Sequence, residues 1–302
     1  MRARLITAFA AVYLVWGSTY LAIRFAVETL PPLLMAGARF VLAGAILLAW
    51  ARFRDGAPLP SRREWRVGLI TGSLLLLGGN GGVAWAEQRV PSGVAALLVA
   101  VVPLWMVLLE WLRPGGQRPR VPVFLGVGLG LVGLALLVGP DALSQGGSDT
   151  VGAIVLILAS LSWAAGSLYA KSAPGGASGT SVAGTQMLAG GAVLLLAGVV
   201  AREPSQLDLA HASTRSLLGF AYLVTIGSLI GFTAYLYLLA HTSAAKAATY
   251  AYVNPVVAVC LGWAIGHERV TSRTIIAAAI ILGGVAIITI TRDSPAISLS
   301  DQ

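Results

Sequence analysis

Apolar residues run through this chain in long blocks, separated by short stretches that carry Pro, Gly and charge. A bilayer core about 30 Å thick takes roughly 17–25 apolar residues in a helix. Ten blocks meet that length, at about 5–26, 33–51, 66–86, 92–112, 122–139, 151–171, 181–201, 216–239, 245–265 and 274–291. The connections at 53–61, 113–120, 141–150 and 173–179 are too short to fold as soluble domains. The pattern predicts an all-α polytopic membrane protein with ten transmembrane helices.

The blocks repeat. Ala95-Ala96, Pro103, Val107, Leu109 and Trp111 recur 152 residues later as Ala247-Ala248, Pro255, Val259, Leu261 and Trp263. Ala36-Gly37, Gly44-Ala45 and Leu47-Leu48 recur as Ala183-Gly184, Gly191-Ala192 and Leu194-Leu195. Gly17-Ser18 and Tyr20 recur as Gly166-Ser167 and Tyr169, and Leu131, Gly133 and Ala135 as Leu282, Gly284 and Ala286. Internal duplication of apolar segments is a mark of secondary transporters. The expected units are 5–139 and 151–291, followed by a disordered cytoplasmic tail at 293–302.

Loop charges set the expected orientation. With the N-terminus inside, the inner loops hold Arg2, Arg4, Arg52, Arg54, Arg62, Arg63, Arg66, Arg113, Arg118, Arg120, Lys171 and Arg292, twelve in all. The outer loops hold five, Arg89, Arg202, Arg215, Arg269 and Arg273. Both termini are therefore expected inside. The first unit decides this, and the second is nearly balanced. Five helices per unit is an odd number, so the two units are expected to insert upside down relative to each other.

Composition agrees with a membrane location. Hydrophobic residues make up 57% and charged residues 11%, against about 25% charged in soluble domains. The net charge of +8 does not indicate nucleic-acid binding, because the basic residues are dispersed in the loops. The lone Cys260 excludes an intramolecular disulfide. The N-terminal run has basic residues before an apolar stretch but no convincing small-residue cleavage site, so it is read as an uncleaved first helix.

Several runs carry a family resemblance. They are Trp16-Gly17-Ser18-Thr19-Tyr20, Ala38-Arg39-Phe40, Ala86-Glu87-Gln88 before Pro91-Ser92-Gly93, and the segment from Tyr250 to Val259 around Asn254-Pro255. Together they resemble the ten-helix EamA-type transporters of the drug/metabolite transporter superfamily, in particular the YedA-type bacterial inner-membrane permeases. The resemblance implies two five-helix repeats, an inner-membrane location, and efflux of amino acids, metabolites or drugs. It also implies a central cavity lined mainly by helices 1, 3, 4, 6, 8 and 9. The family often has Gly-Glu after the fourth and ninth helices. Here the second unit has Gly266-His267-Glu268, and the first has Pro114-Gly115-Gly116 with no acid.

Polar and aromatic residues inside the blocks are the candidate pathway. A charge at mid-membrane costs at least about 2.5–3.5 kcal/mol, so Arg39 must face protein or water. It is either an anion contact or a structural Arg that caps carbonyls or snorkels to an interface. Glu87, beside Gln88 and Arg89, is either a cation or proton site or a solvated interfacial acid. Lys246 is either a substrate contact or a snorkelling anchor. Tyr250 and Asn254 share a helix face, next to Pro255, and Pro103 holds the corresponding place in the first unit. Both prolines are read as hinges. Gly78-Gly79-Asn80-Gly81-Gly82 weakens an ordinary helix and makes Asn80 a pathway candidate, with Trp85 beyond it. Trp16, Ser18 and Tyr20 on segment 1 and Trp163 and Tyr169 on segment 6 complete the set. Glu110 is expected to pair with Arg113, and Glu28 to be an exposed loop acid.

A secondary exporter of small metabolites, amino acids or drug-like amphiphiles, working by alternating access, is the reading these features favour. Its expected partners are a small-molecule substrate and the lipid bilayer, with protons as a candidate coupling ion. A monomer suffices for a pathway and an oligomer is compatible with it. No cofactor is expected. His211, His241 and His267 have no metal-site spacing. The competing readings are a membrane-embedded enzyme or scaffold and a proton-independent facilitator or channel.

Overall fold

The computed structural model describes residues 2–86, 88, 89, 95, 98–114, 116, 118–144, 150–173, 178–257 and 271–290; of these, the side chains of Tyr20, Leu21, Arg24, residues 137–144 and Thr289 are not described. Glu87, Cys260, the 266–268 run and the 293–302 tail lie outside the described residues.

Helices α1 (Arg2–Ala26), α2 (Pro32–Phe53), α3 (Arg62–Ala86), α4 (Val102–Leu112) and α5 (Val121–Ser144) are followed by α6 (Thr150–Ser172), α7 (Gly179–Val200) and α8 (Thr214–His241). Next come α9, which opens at Ala244–Ala247 and is described to 257, and α10 (Ser272–Ile290). Among the described residues there is no strand. Five helices, α2, α3, α6, α7 and α8, are long and apolar enough to cross a membrane, and α4, α5 and α10 carry shorter apolar stretches. In lipid every backbone N–H and C=O must be paired within the protein, and helices do this locally. Large apolar side chains such as Ile6, Leu14, Leu125, Leu196 and Ile290 point outward. The protein is an all-helical, polytopic membrane protein.

Sequence signals for the helix starts are plain. Ser61, Ser178, Ser213 and Ser243 each accept a backbone N–H three residues on, capping α3, α7, α8 and α9. At α3, Glu64 also reaches back to the Ser61 N–H at 2.6 Å, completing a capping box. The start of α2 is capped from a distance. Glu203, buried after α7, accepts from the N–H groups of Leu33 at 3.1 Å and Leu34 at 2.8 Å. Arg202 makes the sharp turn that places it there, with φ of 60°.

α2 and α7 cross at backbone contact. A Cβ added to Gly44 would lie 2.6 Å from Leu188 N and 2.8 Å from Gly184 O. One added to Gly191 would lie 2.7 Å from Val41 N and 3.0 Å from Gly37 O. Adding 147 to 37, 41 and 44 gives 184, 188 and 191, so the two contacts are counterparts. α5 and α10 approach in the same manner through Gly126 and Gly284. α1 lies against α8, and α6 against α3.

The middles of α3 and α8 are not α-helical. Ser73–Gly81 and Leu223–Phe232 are wound as π-helix. The expected weakness at 78–82 is therefore a wider turn rather than a bend, and α8 shares it without the same glycine run. Pro103 also differs from a mid-helix hinge. α4 begins at Val102, after a turn at Ala100-Val101, so Pro103 sits in a first turn where its missing N–H is harmless. The interruption lies upstream because the proline ring clashes with the carbonyl four residues before it. Pro255 lies inside the described helical stretch of α9, and the turn in that segment is at Ala248-Thr249.

Gly44→Val is expected to lower the thermal unfolding midpoint in detergent, since overpacking a close contact costs about 1–3 kcal/mol. Gly128→Ala, where nothing lies within 4 Å of the added carbon, is expected to leave it unchanged or raise it slightly, since alanine is the better helix former by up to about 1 kcal/mol. Equal midpoints for the two variants would refute the assigned contact.

Candidate functional site

A cavity opens between α1, α2, α3, α4, α6, α8 and α9. Of the residues expected in a pathway, Trp16, Arg39, Asn80, Trp163, Tyr250 and Asn254 all line it. α2 joins the helices that the resemblance implied, through Arg39 and Phe40.

Four rings from four helices pack beneath the cavity. Trp16 meets Trp163 at 5.6 Å, Tyr250 at 4.8 Å and Tyr235 at 5.0 Å between ring centroids. Tyr235 meets Trp163 and Tyr250, each at 5.5 Å. Edge-on and tilted arrangements at these distances are the favoured ones. Tyr235 is fully buried and holds the layer together. Its hydroxyl accepts from Trp163 Nε1 at 3.1 Å and lies 2.6 Å from Ser167 Oγ. Ser167 spends its own proton on the Trp163 carbonyl, so Tyr235 donates to Ser167.

Past this layer, toward the end where α1 begins and α6 and α8 finish, the bundle is packed solid. Val12, Leu238, Ala244 and Ala247 are completely or almost completely buried there. Tyr13 donates to Thr249 Oγ1 at 2.6 Å, tying α1 to α9, while Thr249 donates to the Lys246 carbonyl. Lys171 on α6 donates to the carbonyls of Leu239 and Thr242 at the end of α8, the favoured place for a cation on a helix.

The upper wall holds the polar groups. Arg39 is 6% exposed, and its only described hydrogen bond runs from Nη2 to Asn80 Oδ1 at 3.3 Å. Its guanidinium lies 4.1 Å from the Phe40 ring centroid, a cation–π distance. Arg39 Nε and Asn254 Oδ1 are buried without a hydrogen-bond partner. Arg39 thus neither caps carbonyls nor snorkels.

Other expected residues lie elsewhere. Ser18 donates to the Val15 carbonyl and accepts from Tyr222, a link between α1 and α8. Trp85 packs with Ala86, Ala95 and Leu156, under the Arg89 guanidinium at 4.4 Å. Tyr169 faces outward. Lys246 is half-buried in the capped first turn of α9, outside the cavity lining. Tyr20 lies in α1. As expected, Glu110 pairs with Arg113 at 3.4 Å and Glu28 is an exposed loop acid, which lies 3.4 Å from Arg215. Tyr235, Phe232 and Thr19 were missed. Apolar periodicity alone does not separate an inward Tyr235 from its neighbour Tyr237.

A lipid-facing helical bundle around a polar and aromatic cavity defines a polytopic membrane transporter. Comparison with known proteins gives the same class. The EamA-like transporter family model matches residues 4–139 and 150–290. The uncharacterized inner membrane transporter YedA of Escherichia coli is 41% identical over 94% of this chain and 90% of its own length. The uncharacterized transporter YoaV of Bacillus subtilis is 27% identical over 93% and 95%. A solved crystal structure at 22% identity covers 95% of this chain and 97% of its own, with a TM-score of 0.76, and so shares the fold. The chain belongs to the EamA-like transporter family and is a multi-pass transporter of the inner membrane.

Tyr235→Phe is expected to destabilise the protein by about 1–3 kcal/mol, because Trp163 Nε1 and Ser167 lose their buried partner. Thermal unfolding and the tryptophan emission maximum check this. An unchanged midpoint and spectrum would contradict the network.

Proposed function

We propose that this protein is a secondary exporter of small amphiphilic metabolites that works by alternating access through the central cavity. The observation that carries this reading is the one-sided cavity, lined above the aromatic layer and sealed below it. Ten helices in two five-helix units of opposite orientation form the proposed architecture. It is supported by the sequence repeats, by the reciprocal α2–α7 and α5–α10 contacts, and by the paired π segments of α3 and α8. In an inverted repeat each unit supplies one half of a pathway, and rocking of one against the other exchanges the open side.

With both termini inside, as the loop charges favour, the sealed end is cytoplasmic and the cavity faces out. The Tyr13–Thr249 bond and the Lys171 cap are then the contacts that must break for inward opening. The substrate pathway runs along Trp16, Arg39, Asn80, Trp163, Tyr250 and Asn254. The relatives are named as transporters and the family is a transporter family, which supports a non-enzymatic role. Proton coupling would be carried by Glu87, the acid that follows Ala86 in the sequence.

Counterflow of a substrate panel into proteoliposomes, with and without a pH gradient, tests the function. Substrate-dependent exchange is expected, and no exchange of any compound under any gradient would overturn the reading. For orientation, Ile23→Cys in a Cys260→Ser background is expected to react with an impermeant maleimide from the periplasmic side only. Reaction from the cytoplasmic side alone would reverse the assignment. Tyr13→Phe removes one hydrogen bond worth about 0.5–1.5 kcal/mol from the seal. It is expected to raise labelling of Ala247→Cys from the cytoplasmic side roughly two- to tenfold, and unchanged labelling would dismiss Tyr13 as part of the seal.

A further inference from the structure

Arg39 is the only formally charged side chain lining the cavity among the described residues. It is 6% exposed and makes one described hydrogen bond, to the neutral amide of Asn80, while Nε has no acceptor. A structural arginine in lipid is normally held by several carbonyls or a carboxylate, and none is described here. The guanidinium instead lies 4.1 Å from the Phe40 ring centroid and donates to Asn80 Oδ1 at 3.3 Å. The protein has therefore fixed a cation on the wall of a cavity without neutralising it.

We propose that Arg39 anchors the carboxylate of the transported compound, so that the cavity selects small monocarboxylates with an apolar or aromatic body. This rests on the transport reading above and names its substrate class. A charge-assisted hydrogen bond to a carboxylate is the strongest contact an arginine offers in a water-poor site. One cation matches one negative charge, and a dianion would leave a surplus buried. The duplication supplies no second cation, because the counterpart of Arg39 is Gln186, which is buried on α7 and does not line the cavity. The body of the ligand has its own surface in Trp16, Trp163 and Tyr250. Asn80 is a positioning residue that orients the guanidinium.

The test compares 3-phenylpropionate with 3-phenylpropanamide, which share a body and differ in charge. Titration calorimetry on the purified protein in detergent is expected to show the acid binding at least about tenfold more tightly, and Arg39→Gln is expected to erase the difference between the two compounds. Equal affinities in the parent protein, a preference that survives Arg39→Gln, or binding of neither compound at millimolar concentration would each overturn the proposal. Should Arg39→Gln not purify folded, Arg39→Lys carries the test. It keeps the charge and loses the planar fork, so the ratio is expected to fall severalfold, and an unchanged ratio overturns the proposal. Counterflow of both compounds in proteoliposomes separates this idea from the transport reading. Acid-selective binding without counterflow keeps the anchor and removes transport, whereas counterflow without acid preference keeps transport and removes the anchor.

Discussion

The close approach of α2 and α7 is the contact on which the rest of the structure depends. Lipid tails are as apolar as leucine, so helices in a membrane gain little from apolar burial against each other. They associate through packing, and packing is tightest where side chains are absent. Gly37, Gly44, Gly184 and Gly191 remove the side chains at the crossing, and each faces backbone of the opposite helix. Two further features hang on this crossing. The start of α2 reaches the Glu203 carboxylate, which follows α7. Arg39, two residues beyond Gly37, is thereby fixed on the cavity wall.

Around that crossing, one end of the cavity is closed by apolar packing of Val12, Leu238, Ala244 and Ala247 together with a few polar links. A tyrosine–threonine bond and a lysine on two carbonyls join α1 to α9 and α6 to α8. A neutral bond of this kind carries about 0.5–1.5 kcal/mol and one from a charged group about 1.5–3 kcal/mol, whereas the glycine crossing is continuous backbone contact. On the proposed reading, a rigid axis with lightly latched ends is what alternating access requires. The latch can break without unmaking the fold.

Much of this was legible in the sequence because lipid punishes exceptions. A charge such as Arg39, an amide such as Asn80 or Asn254, and a glycine-rich turn stand out in an apolar run, and those residues do line the cavity. Aromatic residues stand out less, because lipid accepts them. Trp16, Trp163 and Tyr250 face inward, whereas Trp85 packs away from the cavity and Tyr169 faces outward. Tyr235 and Tyr237 are two residues apart on one helix, and only the first is fully buried. Which of two such rings turns inward depends on the winding of α8, and no residue type announces a π segment.

That winding accounts for the position of the aromatic layer. A π segment shifts the hydrogen-bond ladder to i→i+5, and a carbonyl in it keeps a second lone pair for a donor from another helix. In α3 the Leu74 carbonyl accepts from Ser162 on α6 at 2.8 Å, and in α8 the Gly227 carbonyl accepts from Trp16 Nε1 on α1 at 3.3 Å. Each donor comes from the opposite half of the chain. The same segments place a glycine under each cavity tryptophan. A Cβ at Gly79 would lie 2.7 Å from the Trp163 ring, and one at Gly231 would lie 2.5 Å from Trp16 Nε1. Helices α3 and α8 therefore do more than span the membrane. Their irregular middles supply both the space and, for Trp16, the acceptor that hold the two tryptophans across the floor of the cavity.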